Sequence, residues 1–112
     1  MNTYPSSELQ TLHTDSFRDY VLEQLAVLDR LDARVMFGGT GLYYREQFFG
    51  IIYDGRLYFK THEATLDKYL RHQAAVFAPS PKQVLKNYRE VPVEILEDSS
   101  QLAIWARESV QS

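Results

Sequence analysis

The chain has 112 residues, of which 45% are hydrophobic and 24% charged, and its formal net charge is −3 at pH 7. These values are typical of one compact domain, 1–112, and they exclude a wholly disordered chain. The absence of cysteine excludes disulfides and thiolate metal sites, and it is consistent with a cytoplasmic protein. The N-terminal residues lack the basic start and apolar core of a signal peptide, and no apolar run is long enough to span a bilayer.

The charges are unevenly distributed along the chain. Residues 56–89 hold 7 basic and 2 acidic side chains, whereas 1–55 and 90–112 each have a net charge of −4. A segment this basic either forms a local positive patch or neutralises the acidic helices of the folded domain. The sequence leaves both interpretations open.

The first half of the chain predicts one helix followed by strands. After a loose lead-in, 1–13, apolar residues recur at helical spacing and predict a helix over about 16–30, with its stripe formed by Phe17, Val21, Leu25 and Leu28. Runs of aromatic and β-branched residues then predict four strands, over 33–37, 42–45, 48–53 and 56–61.

The second half predicts two longer helices separated by strands. The elements are a helix, a strand, a second strand, a helical turn and a last helix, over 62–72, 75–78, 84–91, 92–97 and 99–110. Thr61 and Asp98 have the side chains of helix N-caps, and the Pro79-Ser80-Pro81 run predicts a loop. The residues expected to face the core from these helices are Leu66, Tyr69, Leu70, Leu102, Trp105 and Ala106, with Ile104 as an extension.

The Asp54-Gly55 pair is the clearest local signal, because two residues of this kind favour a type I′ turn between antiparallel strands. A turn at this point fixes the register of its strands and places Gly50 opposite Phe59, where the ring can lie over the glycine. Alternation then assigns Phe48, Gly50, Ile52, Leu57 and Phe59 to one face. The other face receives Phe49, Ile51, Tyr53, Arg56, Tyr58 and Lys60.

Both faces of this predicted sheet are partly apolar, whereas a sheet covered on one side normally has a polar outer face. Either helices cover both sides, or one face meets another chain. The second option predicts a homodimer, the commonest kind of oligomer.

Several motifs, in order along the chain, resemble the N-terminal domain of the TfoX/Sxy family. They are Met36-Phe37-Gly38-Gly39, Gly41-Leu42-Tyr43, Leu57-Tyr58-Phe59-Lys60, Tyr88-Arg89-Glu90-Val91-Pro92, Leu96-Glu97-Asp98 and Trp105-Ala106-Arg107. The resemblance covers about 16–110, with a departure at Glu46-Gln47, where a glycine-containing turn is usual.

The resemblance implies an α+β domain with a mixed, mostly antiparallel sheet of five to six strands, similar to secretion-chaperone-like folds that tend to dimerise. It also implies a role in regulating DNA uptake (competence) and transcription. Better-known members carry a second, C-terminal helical domain, so this chain is expected to be a stand-alone copy.

No residue pattern indicates catalysis, a cofactor or a metal. The Gly38–Gly41 run lacks the lysine and hydroxyl spacing of a phosphate-binding loop, and a strand follows it, so it predicts a tight turn or bulge with positive φ. The three histidines, His13, His62 and His72, do not have zinc-site spacing and suit capping or surface roles. The carboxylates Glu94, Glu97 and Asp98 suit helix starts.

The leading hypothesis is therefore a non-enzymatic regulatory domain that binds a protein partner through an apolar and basic patch of the sheet. The candidate residues are Tyr53, Arg56, Tyr58, Lys60, Lys86 and Arg89. One alternative is direct binding of nucleic acid, in which strand aromatics such as Tyr43 and Tyr44 stack on bases beside the basic residues. Another is a small-ligand binder or an enzyme of an unrecognised kind.

Overall fold

The computed structural model describes residues 16–36 and 38–110, which form one six-stranded sheet with helices. In chain order the elements are α1 (16–24), β1 (Leu31–Met36), β2 (Gly39–Tyr44), β3 (Gln47–Tyr53), β4 (Arg56–Lys60), α2 (Glu63–Arg71), β5 (Val76–Ser80), β6 (Gln83–Glu90), α3 (Val93–Leu96) and α4 (Ser99–Val110). The strand order is β1-β2-β3-β4-β6-β5, and each of these pairings is antiparallel. The predicted α+β class is confirmed, and the sheet is antiparallel throughout instead of mixed.

The turn between β3 and β4 has the predicted geometry. Asp54 and Gly55 have φ values of 52° and 71°, as a type I′ turn requires, and the expected register from Tyr53 opposite Arg56 to Gly50 opposite Phe59 is present. A Cβ added to Gly50 would lie 3.2 Å from Phe59 Cδ1. The missing side chain therefore makes room for the ring.

The turn between β2 and β3 has the same geometry without a glycine. Tyr44 pairs with Gln47, and the two residues between them, Arg45 and Glu46, have φ values of 50° and 74°. Both lie in the left-handed region, which costs a residue with a side chain more than it costs glycine. The turn type that the sequence left undetermined is therefore also type I′.

A β-bulge in β3 corrects the predicted assignment of its aromatic residues to faces. Leu42 pairs with Gly50 but Tyr43 pairs with Phe48, so Phe49 is an extra residue without a partner on β2. The bulge shifts the alternation by one position. As a result Phe49 packs in the core beside Phe59, whereas Phe48 lies on the opposite face, the reverse of the prediction.

The main core lies between one face of the sheet and the helices α1, α2 and α4. The members with 0% or 1% exposure include Val21, Leu25, Leu42, Phe49, Leu57, Phe59, Tyr69, Leu102 and Ala106. Trp105 completes this core and packs edge-on against Tyr69, with ring centroids 4.9 Å apart. We call this side of the sheet the helix face and the opposite side the second face.

Several element boundaries differ from those predicted, among them the start of β2 at Gly39 instead of residue 42. The first helix ends at residue 24, and a looser turn carries Leu28 into the core while Val27 stays 62% exposed. The N-cap of α2 is His62, because the hydroxyl of the predicted cap, Thr61, donates to the Asn87 carbonyl at 3.0 Å. Pro79 lies inside β5, which is an edge strand and can accept a residue without an N–H.

The burial of the helices agrees with the predicted apolar faces except at two positions. Leu70 and Ile104 are each 46% exposed, whereas Tyr69, Leu102 and Trp105 are buried. The predicted cap of the last helix is present, since the Asp98 carboxylate accepts a hydrogen bond from the Gln101 N–H at 3.1 Å. The lead-in 1–13 and Phe37 lie outside the described residues.

Candidate interaction surface

Part of the second face is covered by the chain's own strand β5. Phe77 is 1% exposed and packs edge-on against Tyr58 and Tyr53, with ring centroids 4.9 and 5.5 Å apart. Ile51 and Tyr58 are buried in the same cluster, which contains no helix residue. Strand β5 of the same chain therefore covers Tyr58 and packs against Tyr53 on this face.

The rest of the second face carries a line of aromatic rings that come from strands β2, β3 and β6. Tyr43 and Phe48 have ring centroids 5.3 Å apart, and Phe48 lies at the same distance from Tyr88. The Arg34 guanidinium stacks on the far side of Tyr43, with its Cζ 4.2 Å from the ring centroid. Tyr43 and Phe48 are half-buried, so their outer surfaces face solvent. We call Tyr43, Phe48 and Tyr88 the ring row.

A cationic side chain and a small cavity lie at the Tyr88 end of the ring row. Lys60 is directly opposite Tyr88 in the β4–β6 pairing, and both line a cavity of about 310 Å³ with Gln47, Phe48, His62, Ser109 and Val110. Burial, with a smaller contribution from nearby Tyr43, raises the pKa of Tyr88 to about 12. Tyr88 is therefore a neutral phenol at physiological pH, and Lys60 supplies the positive charge.

Two more lysines lie at the end of the β5–β6 hairpin, where it extends past strand β4. Strand β4 pairs with 88–90 of β6, and Thr61 donates to the Asn87 carbonyl, so residues 83–86 have β5 alone as a neighbouring strand. Every residue from 81 to 87 is exposed, including Lys82 and Lys86 beside Val84 and Leu85. We call 81–87 the basic arm. Among the described residues, no ion pair involves Lys60, Lys82 or Lys86.

The six candidate residues from the sequence do not lie on one open surface. Arg56 is bound to Glu90, with its Nη1 3.1 and 3.2 Å from the two carboxylate oxygens, and this contact raises the pKa of Arg56. Arg89 donates from Nη1 to the Ala74 carbonyl at 3.1 Å. Tyr58 is buried.

The other three candidates keep more accessible surface. Tyr53 is half-buried against Phe77. Lys60 is half-buried at the cavity, and Lys86 is exposed on the basic arm. The sequence did not predict the ring row as a unit, because the bulge turns Phe48 onto the second face. Gly50 lies beside this bulge in β3 and could have marked it, but it was interpreted only as room for the Phe59 ring.

The side chains that suggested chemistry have structural roles. His62 precedes α2 and its Nε2 lies 2.9 Å from the Ser109 carbonyl oxygen, while His72 Nδ1 lies 2.9 Å from Glu94 Oε1. Gly38 has φ 82° in the turn between β1 and β2, as predicted. The rest of the run, Gly39 to Gly41, was predicted to belong to the turn but lies in strand β2. Within 16–36 and 38–110, no group of three or more metal-ligating side chains occurs, and no helix is long and apolar enough to cross a membrane.

Comparison with known proteins places the chain in a family. No curated protein matches the sequence. The family model of the TfoX N-terminal domain matches residues 23–112. This range contains all six strands of the sheet, both faces described above and the basic arm. The chain therefore belongs to the TfoX N-terminal domain family, as its motifs suggested.

Proposed function

We propose that this chain is a non-enzymatic regulatory domain that binds an acidic surface of a protein partner through the ring row, Lys60 and the basic arm. Family membership supports a competence-related regulatory role in general. The observation that carries the proposal is the placement of Lys60, Lys82 and Lys86, which lack ion-pair partners among the described residues. Lys82 and Lys86 lie beside exposed apolar side chains of the basic arm, and Lys60 lies at the cavity beside the half-buried Phe48. Interfaces of this kind combine apolar anchors with charges that select the partner.

The apolar part of the surface supports a protein partner. Val84 is 43% exposed and Leu85 37% exposed on the basic arm, and the ring row offers the outer surfaces of Tyr43 and Phe48. Aromatic residues are enriched at the centres of protein interfaces because they bury a large area at low entropic cost. The absence of an enzymatic role is part of the proposal, supported by the structural roles of His62 and His72.

The test compares capture of proteins from a lysate of the source cells by three forms of the domain. The Lys82→Glu/Lys86→Glu variant reverses both exposed charges of the basic arm. The Arg30→Glu/Arg107→Glu variant changes net charge equally at exposed positions elsewhere. We expect the wild type and the Arg variant to capture the same partner, and the Lys variant to capture at least about tenfold less. Equal capture by the two variants would contradict the proposed surface.

Direct binding of single-stranded nucleic acid is a second candidate, favoured by the stacking of Arg34 on Tyr43 and by Lys60, which has no ion pair within the described part of the chain. Exposed rings beside cations can stack on bases and contact phosphates. Fluorescence anisotropy with a labelled single-stranded oligonucleotide distinguishes this candidate. Binding at about 50 mM salt that falls steeply by about 200 mM, and is lost on replacement of Phe48 by Ala, would support it. A flat anisotropy signal at the lower salt would eliminate it.

A further inference from the structure

We propose that β1 is the contact between two copies of this chain, which pair antiparallel about a twofold axis at Ala33 and join their sheets into one. This contact is independent of the proposed partner surface, because it depends on the edge strand β1 and not on the ring row, Lys60 or the basic arm. It names a different dimer contact from the Tyr53 and Tyr58 face that the sequence suggested, which Phe77 covers.

The first observation is an open sheet edge. Strand β1 is the first in the order β1-β2-β3-β4-β6-β5, so among the described residues no strand pairs with its outer side. Val35 is 88% exposed on this strand, and Asp32 and Arg34 are also exposed. A free edge presents unpaired N–H and C=O groups that can accept another strand.

The hydrogen bonds to β2 show which groups of β1 point outward. The Arg45 N–H donates to the Arg30 carbonyl at 3.1 Å, and the register continues with Leu31 opposite Tyr44. In an antiparallel ladder the bonded pairs alternate, so the even-numbered residues of β1 bond to β2. The N–H and C=O groups of Leu31, Ala33 and Val35 therefore face the open edge.

These outward groups allow few symmetric registers, and the side-chain charges distinguish between them. With the axis at Ala33, Leu31 pairs with Val35 of the second copy, and about six hydrogen bonds form across the edge. In the same register Asp32 lies opposite Arg34 of the second copy, in the closer, non-hydrogen-bonded kind of pair. Opposite charges therefore meet twice, once on each side of the axis.

The neighbouring symmetric registers bring like charges together. Moving the axis to residue 32 places Asp32 opposite its own copy, and moving it to residue 34 places Arg34 opposite its own copy. Like charges directly across a pair of strands are destabilising. Among these registers, only the one centred on Ala33 places Asp32 opposite Arg34 of the second copy. It pairs residues 31–35 of the two copies and leaves Met36 opposite Arg30.

Within one chain, Asp32 and Arg34 already hold each other on the face where the cross-strand ion pairs would form. Arg34 Nε donates to Asp32 Oδ2 at 2.9 Å within one chain, and both side chains lie on the second face, where Arg34 stacks on Tyr43. In the dimer, each Asp32 would contact Arg34 of its own chain and Arg34 of the second copy. The four side chains would then form a ring in which negative and positive charges alternate. The pairing would also place the two ring rows on one continuous surface, so that a partner of twofold symmetry could contact both.

The test measures the dissociation constant of the dimer by sedimentation over a concentration series up to about 1 mM. A strand edge buries less than a standard interface, so we expect a dissociation constant on the order of 100 µM. Arg34→Asp and Asp32→Arg each place like charges opposite one another and should each weaken the dimer at least about tenfold. Circular dichroism of each variant would confirm that its fold is retained.

Two combinations test the register itself. The double variant Asp32→Arg/Arg34→Asp restores opposite charges and should dimerise like the wild type. An equal mixture of the two single variants also pairs opposite charges at every position and should form a heterodimer, even though neither variant dimerises alone. A wild type that stays monomeric at about 1 mM, single variants that dimerise unchanged, or a mixture that stays monomeric would each overturn the proposal.

Discussion

The two type I′ turns provide a matched pair for one stability prediction. The second of the two turn residues has nearly the same φ in both turns, 74° at Glu46 and 71° at Gly55. A residue with a side chain pays about 1 kcal/mol or more in the left-handed region, whereas glycine pays about 0.5–1 kcal/mol in chain entropy on folding. The substitution Glu46→Gly should therefore stabilise the domain by roughly 0.5 kcal/mol, because the first of these two costs is the larger.

The converse change at the other turn isolates the backbone cost. A Cβ added at Gly55 meets no atom within 4 Å, so Gly55→Ala creates no clash and its effect comes from φ alone. We expect Gly55→Ala to destabilise the domain by about 1 kcal/mol. Glu46→Ala is the control, since it removes the exposed contact of Glu46 with Arg34 at 3.8 Å but keeps the left-handed backbone.

Urea unfolding followed by circular dichroism measures these differences. The free energy of unfolding should decrease in the order Glu46→Gly, wild type, Gly55→Ala, with Glu46→Ala close to the wild type because exposed ion pairs contribute little. In thermal unfolding, Glu46→Gly should raise the midpoint by about 2 °C. The reasoning is refuted if Glu46→Gly is no more stable than Glu46→Ala, since the two differ chiefly in backbone freedom at that position.

Three further predictions concern buried or capping groups. Phe77→Ala should destabilise the domain by about 3 kcal/mol, and it should increase the fluorescence of a hydrophobic dye because it uncovers Tyr58. A decrease of less than about 1 kcal/mol in the free energy of unfolding in urea would contradict this role. Asp98→Ala should cost about 1 kcal/mol through loss of the α4 cap, and Asp98→Asn should recover most of it. Stability should fall from about pH 10 to 12, since burial raises the pKa of Tyr88 to about 12 in the folded state and the unfolded phenol ionises first. Ultraviolet titration should show late ionisation, and Tyr88→Phe should reduce the fall.

The local signals in the sequence predicted the parts of the fold that depend on neighbouring residues. The Asp54-Gly55 pair was sufficient for the register of the central hairpin, because a two-residue turn leaves the flanking strands only one pairing. The cap at Asp98 was predicted for the same reason, since its partner Gln101 is three residues away. These interactions are short in sequence and do not depend on the rest of the fold.

The faces of β3 were predicted incorrectly because the bulge depends on the neighbouring strand. Phe48 and Phe49 are identical side chains, so their own chemistry does not distinguish the one that enters the core. The choice follows from pairing, in which Gly50 lies opposite Leu42 and Tyr43 lies opposite Phe48. The ring row could not be predicted as a surface without this information.

The packing of Phe77 over Tyr58 could not be predicted from neighbouring residues either. Phe77 is distant from Tyr58 in sequence and reaches it because β5 pairs with β6 and β6 pairs with β4. The Pro79-Ser80-Pro81 run argued for a loop where the structure has an edge strand. The apolar second face therefore suggested another chain, although part of its cover belongs to the same chain.

The sequence left open whether the basic segment 56–89 forms a positive patch or neutralises acidic helices, and the structure shows both. Arg56 pairs with Glu90 and Lys68 with Glu108, so part of the segment neutralises the acidic end of the chain. Lys60, Lys82 and Lys86 have no such partner among the described residues, and the acidic side chains of 90–112 that form ion pairs bind elsewhere. Because this second group retains its charge beside exposed apolar residues, it is the part of the segment on which binding should depend. Reversal of Lys82 and Lys86 should therefore reduce binding at unchanged stability. Arg56→Glu would place a carboxylate beside Glu90 instead of neutralising it, and its effect on stability should be small because the pair is exposed.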